Sequence, residues 1–236
     1  MLEDNPKSNK DDIKFQLDEP NDTVLSAIIP NNSDNVFTVV IDEPDFLPIN
    51  FLQKGLILQK CVARILLPSG GCATGFLITP NLLITNNHVL PSREIARIAK
   101  FLFNYQDDVT GREETPSEYS TNAEIYYSNS RMDCDFAIVS ISGNPGNQWG
   151  YTSLLSHVQT EVGKNCIIIQ IPEGMRKQIV IHNSIIVEFG PRVLKYTADA
   201  VSGSSGSPIF DDFWGLIGLH QCEGDLEENP TVGLRK

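Results

Sequence analysis

The sequence predicts an all-β fold. Three observations carry the prediction: its apolar runs are short and closely spaced, Gly, Pro and Asn punctuate them, and helical spacing of apolar residues is confined to two short stretches. Many short strands with little helix make a barrel or a sandwich. No internal repeat is visible.

The elements follow in order. Residues 1 to about 45 are rich in Asp, Glu, Asn and Pro and read as an arm, mobile in part, with two strand-like runs, Thr23–Ile29 and Val36–Ile41. Residues 46–58, FLPINFLQKGLIL, are a short helix or an irregular lead-in, and Gly55 weakens the helix. From Cys61 the pattern turns β: CVARILLP, the turn SGG, CATGFLIT, the turn PN, then LLIT. Such short spacing is that of an antiparallel meander. Residues 92–104, SREIARIAKFLFN, predict a short surface helix capped by Ser92. Residues 107–122 read as a loop, AEIYYS and DFAIVSI as strands, and NPGNQWG as a crossing between two halves. NCIIIQIP, KQIVIHN, SIIVEFG and VLKYTAD follow as strands, then SPIF and GLIGLHQ, and an acidic, irregular tail from Cys222.

A chain of 236 residues accommodates one large all-β domain with an N-terminal extension. With 41% hydrophobic and 20% charged residues, most of it has the composition of a packed domain. The net charge of −12 repels phosphate backbones and anionic headgroups, which argues against nucleic acid or membrane as the main partner. An odd number of cysteines, 5, without CxxC spacing, reads as small buried hydrophobes rather than a disulfide framework. The polar N-terminus lacks a secretory pattern, and no run approaches the roughly 20 apolar residues that span a bilayer. The expectation is a cytoplasmic protein.

Chemistry concentrates in three places. GSSGSP at 203–208 sets a serine among glycines. A loop free of side chains lets backbone N–H groups converge and leaves a hydroxyl exposed. Gly203 and Ser205 would supply the two N–H donors of an oxyanion hole around the nucleophile Ser205. The nucleophile elbow of α/β-hydrolases shares the GxSG pattern but needs alternating strands and helices, which are lacking. A serine needs a base. Of the 4 histidines, His88 stands at the end of an apolar strand in LLITNNHVL, behind Thr85. The base needs an orienting carboxylate, and Asp135 directly precedes Phe-Ala-Ile, with Asp133 as competitor. The order His, Asp, Ser is that of chymotrypsin, not of subtilisin or the α/β-hydrolases.

TGFLITPNLLITNNHV, DFAIVSI and GSSGSPIF resemble the three signature blocks of trypsin-like serine peptidases. The likeness is to bacterial members, including glutamyl endopeptidases and the intracellular trypsin-like domains of signalling and conflict systems. It covers roughly residues 58–224. It implies two six-stranded antiparallel barrels packed together (about 58–143 and 150–224) behind an N-terminal arm over 1–57. It also implies a triad of base His88, orienter Asp135 and nucleophile Ser205, an acyl-enzyme intermediate, and neither metal nor cofactor. A protein or peptide is the implied substrate, and bacterial defence or stress signalling the implied setting; control of an intracellular protease is expected from the arm, from a regulatory protein partner, or from cleavage within residues 1–57.

Specificity is less determined. Glutamyl endopeptidases carry a histidine matching His220, whose imidazole can donate to a substrate carboxylate and so favour cleavage after Glu or Asp. The alternative is a packed strand residue. Those enzymes have a hydroxyl residue where this chain has Ala200, with Ser202 as substitute, and Asp199 keeps a basic preference open. Two other functions stand beside endopeptidase: a catalytically silent binding module, and an esterase using the same triad.

Overall fold

The computed structural model describes residues 46–154, 160–199, 201–222 and 231–235. The runs at 23–29 and 36–41, His157, Ala200 and most of the tail lie outside these residues.

Helix α1, Asn50–Leu58, settles the lead-in as helical. Gly55 is what lets it dock: a Cβ there would lie 2.4 Å from the Trp214 ring. Trp214 Nε1 donates to Phe51 O at 2.9 Å, and the two rings pack 5.2 Å apart. Six strands follow: β1 Val62–Leu66, β2 Cys72–Leu77, β3 Leu82–Thr85, β4 Lys100–Phe103, β5 Ser117–Asn129 and β6 Phe136–Ile141. They close into an antiparallel barrel in the order β1-β2-β3-β6-β5-β4. This is the first of the two expected barrels.

Two local expectations are corrected here. Helix α2, Arg93–Ile98, is capped by Ser92 as predicted, yet ends before Lys100. Residues 100–103 are strand because Phe101 and Phe103 both bury fully on one face while the backbone pairs with β1 and β5. The loop expected over 107–122 gives way to β5 from Ser117, paired with β4. The crossing segment carries a single helical turn, α3, Gly146–Trp149.

The second half forms β7 Ile167–Gln170, β8 Gln178–Val180, β9 Ile186–Phe189, β10 Val193–Tyr196, β11 Pro208–Phe210, β12 Leu216–Cys222 and β13 Thr231–Arg235. Among the described residues these pair as a seven-stranded sheet, β8-β7-β11-β12-β13-β10-β9, rather than as a closed six-stranded ring. The extra strand comes from the tail that the sequence left irregular, and it bridges β12 to β10.

Two buried clusters explain the unbroken apolar run at 166–169. Ile167 and Ile169 face the larger cluster, shared with the first barrel, while Cys166 and Ile168 face the smaller one with Leu194, Tyr196 and Ile209. A strand buried on both faces shows no alternation. Cys61 and Cys166 are buried free thiols, while Cys72 and Cys134 are half-buried. Burial pushes the Cys61 and Cys166 thiols up, to about 12 and about 11 respectively.

Candidate active site

His88 and Asp135 come from adjacent strand ends. β3 and β6 pair through Thr85 and Ala137, so the residues after one and before the other meet. His88 Nδ1 lies 2.7 Å from Asp135 Oδ2, and His88 N donates to Asp135 Oδ1 at 3.0 Å. Asp135 is fully buried, and its two oxygens accept these two bonds, which offset the cost of enclosing a carboxylate. Its backbone takes a positive φ of 43°, a strained conformation for a non-glycine residue, fixed by Asp135 N donating to Ser130 O at 2.9 Å. Asn86 Nδ2 adds a bond to Asp135 O at 3.0 Å. The competitor Asp133 is exposed and engaged elsewhere, with Arg192 at 3.0 Å. An Asn129 hydrogen bond and the Arg192 charge hold its carboxyl below the usual range.

The serine loop is built on backbone constraints. Gly203 and Gly206 have φ of +95° and +87°. A Cβ on Gly206 would come within 2.0 Å of Thr74 O and 2.3 Å of Thr85 Oγ1; one on Gly203 would reach Ile171 O at 2.6 Å. Only glycine fits either place. The N–H groups of Gly203 and Ser205 have no acceptor among the described residues, as an oxyanion hole requires. Ser205 Oγ is directed at Gln221 O, 3.5 Å away, and no bond joins it to His88 among the described residues. A rotation about χ1 is the movement that would redirect the hydroxyl, and catalytic hydrogen bonds are often loose before substrate arrives.

Thr74, wholly buried on β2, joins the barrel to this loop. Thr74 N donates to Ser205 O at 2.9 Å and Thr74 Oγ1 to Gly203 O at 2.8 Å. Ile171 N donates to the same Oγ1 at 3.1 Å, and Thr85 Oγ1 donates to Thr74 O at 2.7 Å. Sequence reasoning passed over Thr74. Its one signal was a hydroxyl residue leading the block that contains His88.

His220 lies on β12, 1% exposed, with Nδ1 2.5 Å from the Tyr196 hydroxyl. Burial, and then the charge of His88, push its pKa down to about 4. A Tyr196 hydroxyl donating to Nδ1 leaves a neutral ring with its proton on Nε2. His220 is packed, and in the tautomer that accepts from Tyr196 it keeps a donor at Nε2. Ser202 and Asp199 are exposed, and Ser202 engages through its carbonyl, which accepts from Glu173 N at 2.6 Å. An apolar cavity of about 340 Å³, lined by Phe76, Ile84, Phe136, Leu216 and Leu219 among others, includes none of His88, Ser205 or His220. Volume is thus a poor guide to the chemistry here.

The trypsin-like peptidase domain family matches residues 73–219, a span that includes His88, Asp135 and Ser205 and ends just before His220. The chain belongs to the trypsin-like peptidase domain family. Relatives of this trypsin-like peptidase domain include the protein y4fB of Sinorhizobium fredii, 34% identical over 208 residues, which make up 80% of this chain and 31% of that protein. A glutamyl endopeptidase of Staphylococcus epidermidis is 26% identical over 183 residues, 72% of this chain and 62% of the relative. The chain therefore spans less than two thirds of the length of either. Among solved structures, a Glu endopeptidase in complex with MPD superposes with a TM-score of 0.58 at 22% identity, covering 75% of this chain and 85% of the other. That likeness is one of fold.

Proposed function

We propose that this trypsin-like peptidase domain is a serine endopeptidase in which Ser205 attacks a peptide carbonyl, His88 takes its proton and Asp135 orients the imidazole. The observation that carries the reading is the doubly bonded His88–Asp135 pair, with Nδ1 at 2.7 Å and the His88 amide at 3.0 Å from the two carboxylate oxygens. With Nδ1 committed to Asp135, the lone pair of a neutral imidazole is on Nε2, available to a serine hydroxyl. The N–H groups of Gly203 and Ser205, without an acceptor among the described residues, support the same reading, since an acyl transfer develops charge on the carbonyl oxygen. The step forms a Ser205 ester and releases an amine that takes the proton from His88; water then hydrolyses the ester.

Substrate preference belongs to the proposal as well. The named glutamyl endopeptidase relatives and the Nε2 donor of His220 favour cleavage after Glu or Asp, within a restricted protein target. The chain would work in the cytoplasm of a bacterium, under the control of a regulatory protein. A fluorogenic peptide library, read with the intact chain and with Ser205→Ala, tests these points. Cleavage after acidic residues that falls at least ~1000-fold in the variant is the expected result. Equal rates in the two proteins would overturn the nucleophile, and cleavage confined to other residues would overturn the acidic pocket.

A further inference from the structure

An oxyanion hole depends on the orientation of two peptide planes. In a trans peptide the C=O and N–H point in opposite directions, so anchoring one aims the other. Ser205 N–H shares its peptide with Ser204 O, which accepts from Ser207 Oγ at 2.6 Å and Ser207 N at 3.1 Å. That anchor lies within the serine loop. Gly203 N–H shares its peptide with Ser202 O, which accepts from Glu173 N at 2.6 Å. This second anchor comes from outside the loop, from the turn Pro172–Gly174.

The turn adopts a conformation that needs support: Glu173 has φ 51° and Gly174 φ 72°. A non-glycine residue in the left-handed region is strained and persists only where its surroundings fix it. Tyr105 supplies the fixing contact, its hydroxyl donating to Gly174 O at 3.1 Å. The ring is itself immobilised. The guanidinium groups of Arg64 and Arg176 lie 4.6 and 4.3 Å from its centroid, and Lys177 N donates to Tyr105 O at 3.0 Å. Arg176 is tied in turn to Glu113 and to Asp107. Arg64 closes the other side of the turn, where a Cβ on Gly174 would come within 2.9 Å of its Nη2.

We infer that Tyr105 is a positioning residue for the oxyanion hole. Its hydroxyl holds the 172–174 turn so that Glu173 N–H grips the Ser202 carbonyl and Gly203 N–H faces the opposite way, toward the reacting oxygen. The inference rests on the reading of Ser205 as nucleophile. Because the oxyanion exists only in the transition state and the intermediate, loosening this grip lowers kcat and spares KM.

The test is Tyr105→Phe in the full chain, which keeps the ring and its guanidinium contacts and removes only the hydroxyl. Two quantities are measured: kcat and KM on a peptide the library identifies, and the Gly203 amide resonance in 15N-glycine-labelled protein. The expected result is a kcat about ten-fold lower, a fraction of the ~100-fold that a lost oxyanion donor costs, with KM within about two-fold and a displaced Gly203 resonance. An unchanged kcat in an active, folded variant overturns the inference, as does an unmoved Gly203 resonance. If the unmodified chain cleaves nothing and a serine-reactive phosphonate leaves Ser205 unlabelled, the reading of Ser205 fails. The Gly203 resonance then still decides whether the hydroxyl sets that peptide.

Discussion

Thr74 Oγ1 donates to Gly203 O at 2.8 Å, tying a barrel strand to the loop that carries Ser205. The same oxygen accepts from Ile171 N at 3.1 Å. Thr74→Val keeps the shape and removes both bonds, leaving a buried carbonyl and a buried N–H unpaired. Each costs about 1–3 kcal/mol. Urea unfolding should show a loss of about 2–6 kcal/mol, and kcat should fall further than the fraction unfolded accounts for.

Asp135 and Asp133 separate cleanly under one substitution. Asp135→Asn retains the volume of the buried carboxyl but favours the wrong imidazole tautomer, so kcat should drop by about 10⁴ with little change in melting temperature. Asp133→Asn removes an exposed pair with Arg192 and should leave kcat within about two-fold. Parallel rate and melting measurements on the two variants check the assignment; a larger rate loss at Asp133 would reverse it.

Two glycines with similar backbone angles should respond very differently to alanine. Gly206 and Gly111 have φ of +87° and +77°, but an added Cβ meets Thr74 O at 2.0 Å in the first and nothing within 4 Å in the second. Gly111→Ala should cost about 1 kcal/mol, the strain of the angle alone. Gly206→Ala must displace backbone and should cost more than ~3 kcal/mol or prevent folding. Comparable losses in the two variants would mean that steric closeness at Gly206 is absorbed by local movement.

His220 makes stability depend on pH. Its folded pKa of about 4 lies below the ordinary value of 6.5. Between these values the unfolded chain binds a proton that the folded chain refuses, so its contribution to stability falls as pH drops from about 6.5 to about 4 and is level above that. The effect is on the order of 3 kcal/mol. Unfolding free energies at several pH values, compared with those of His220→Gln, should show this slope only in the unmodified chain.

The three blocks proposed to carry the triad were visible in the sequence because each is local: a strand running into His88, Asp135 at the head of an apolar strand, Ser205 among glycines. The contacts that hold these blocks in place were not. Thr74, Tyr196 and Glu173 act on Gly203, His220 and Ser202 respectively, partners brought close by tertiary pairing that no local spacing records. Residues 100–103 were misjudged for a related reason. Ile95, Ala96, Ala99 and Phe103 fall on one helical stripe, while Ala99, Phe101 and Phe103 alternate as in a strand, and pairing with β1 and β5 decided the outcome. The seventh strand of the second sheet likewise arises from the register of Thr231–Arg235 between β12 and β10, in a stretch of sequence without a strong strand pattern.

Gly206 N donates to His220 O at 2.9 Å, and His220 N donates to Ser207 O at 2.9 Å. Under the proposed peptidase activity, a new cleavage preference is therefore a matter of side chains, not of segments. Transplanting a foreign strand in place of 216–222 would carry the partner of the serine loop away with it, and a one-residue slip in the graft would misplace Ser205. Libraries that randomise side chains at 199, 202 and 220 while retaining the backbone length sample selectivity without touching that register.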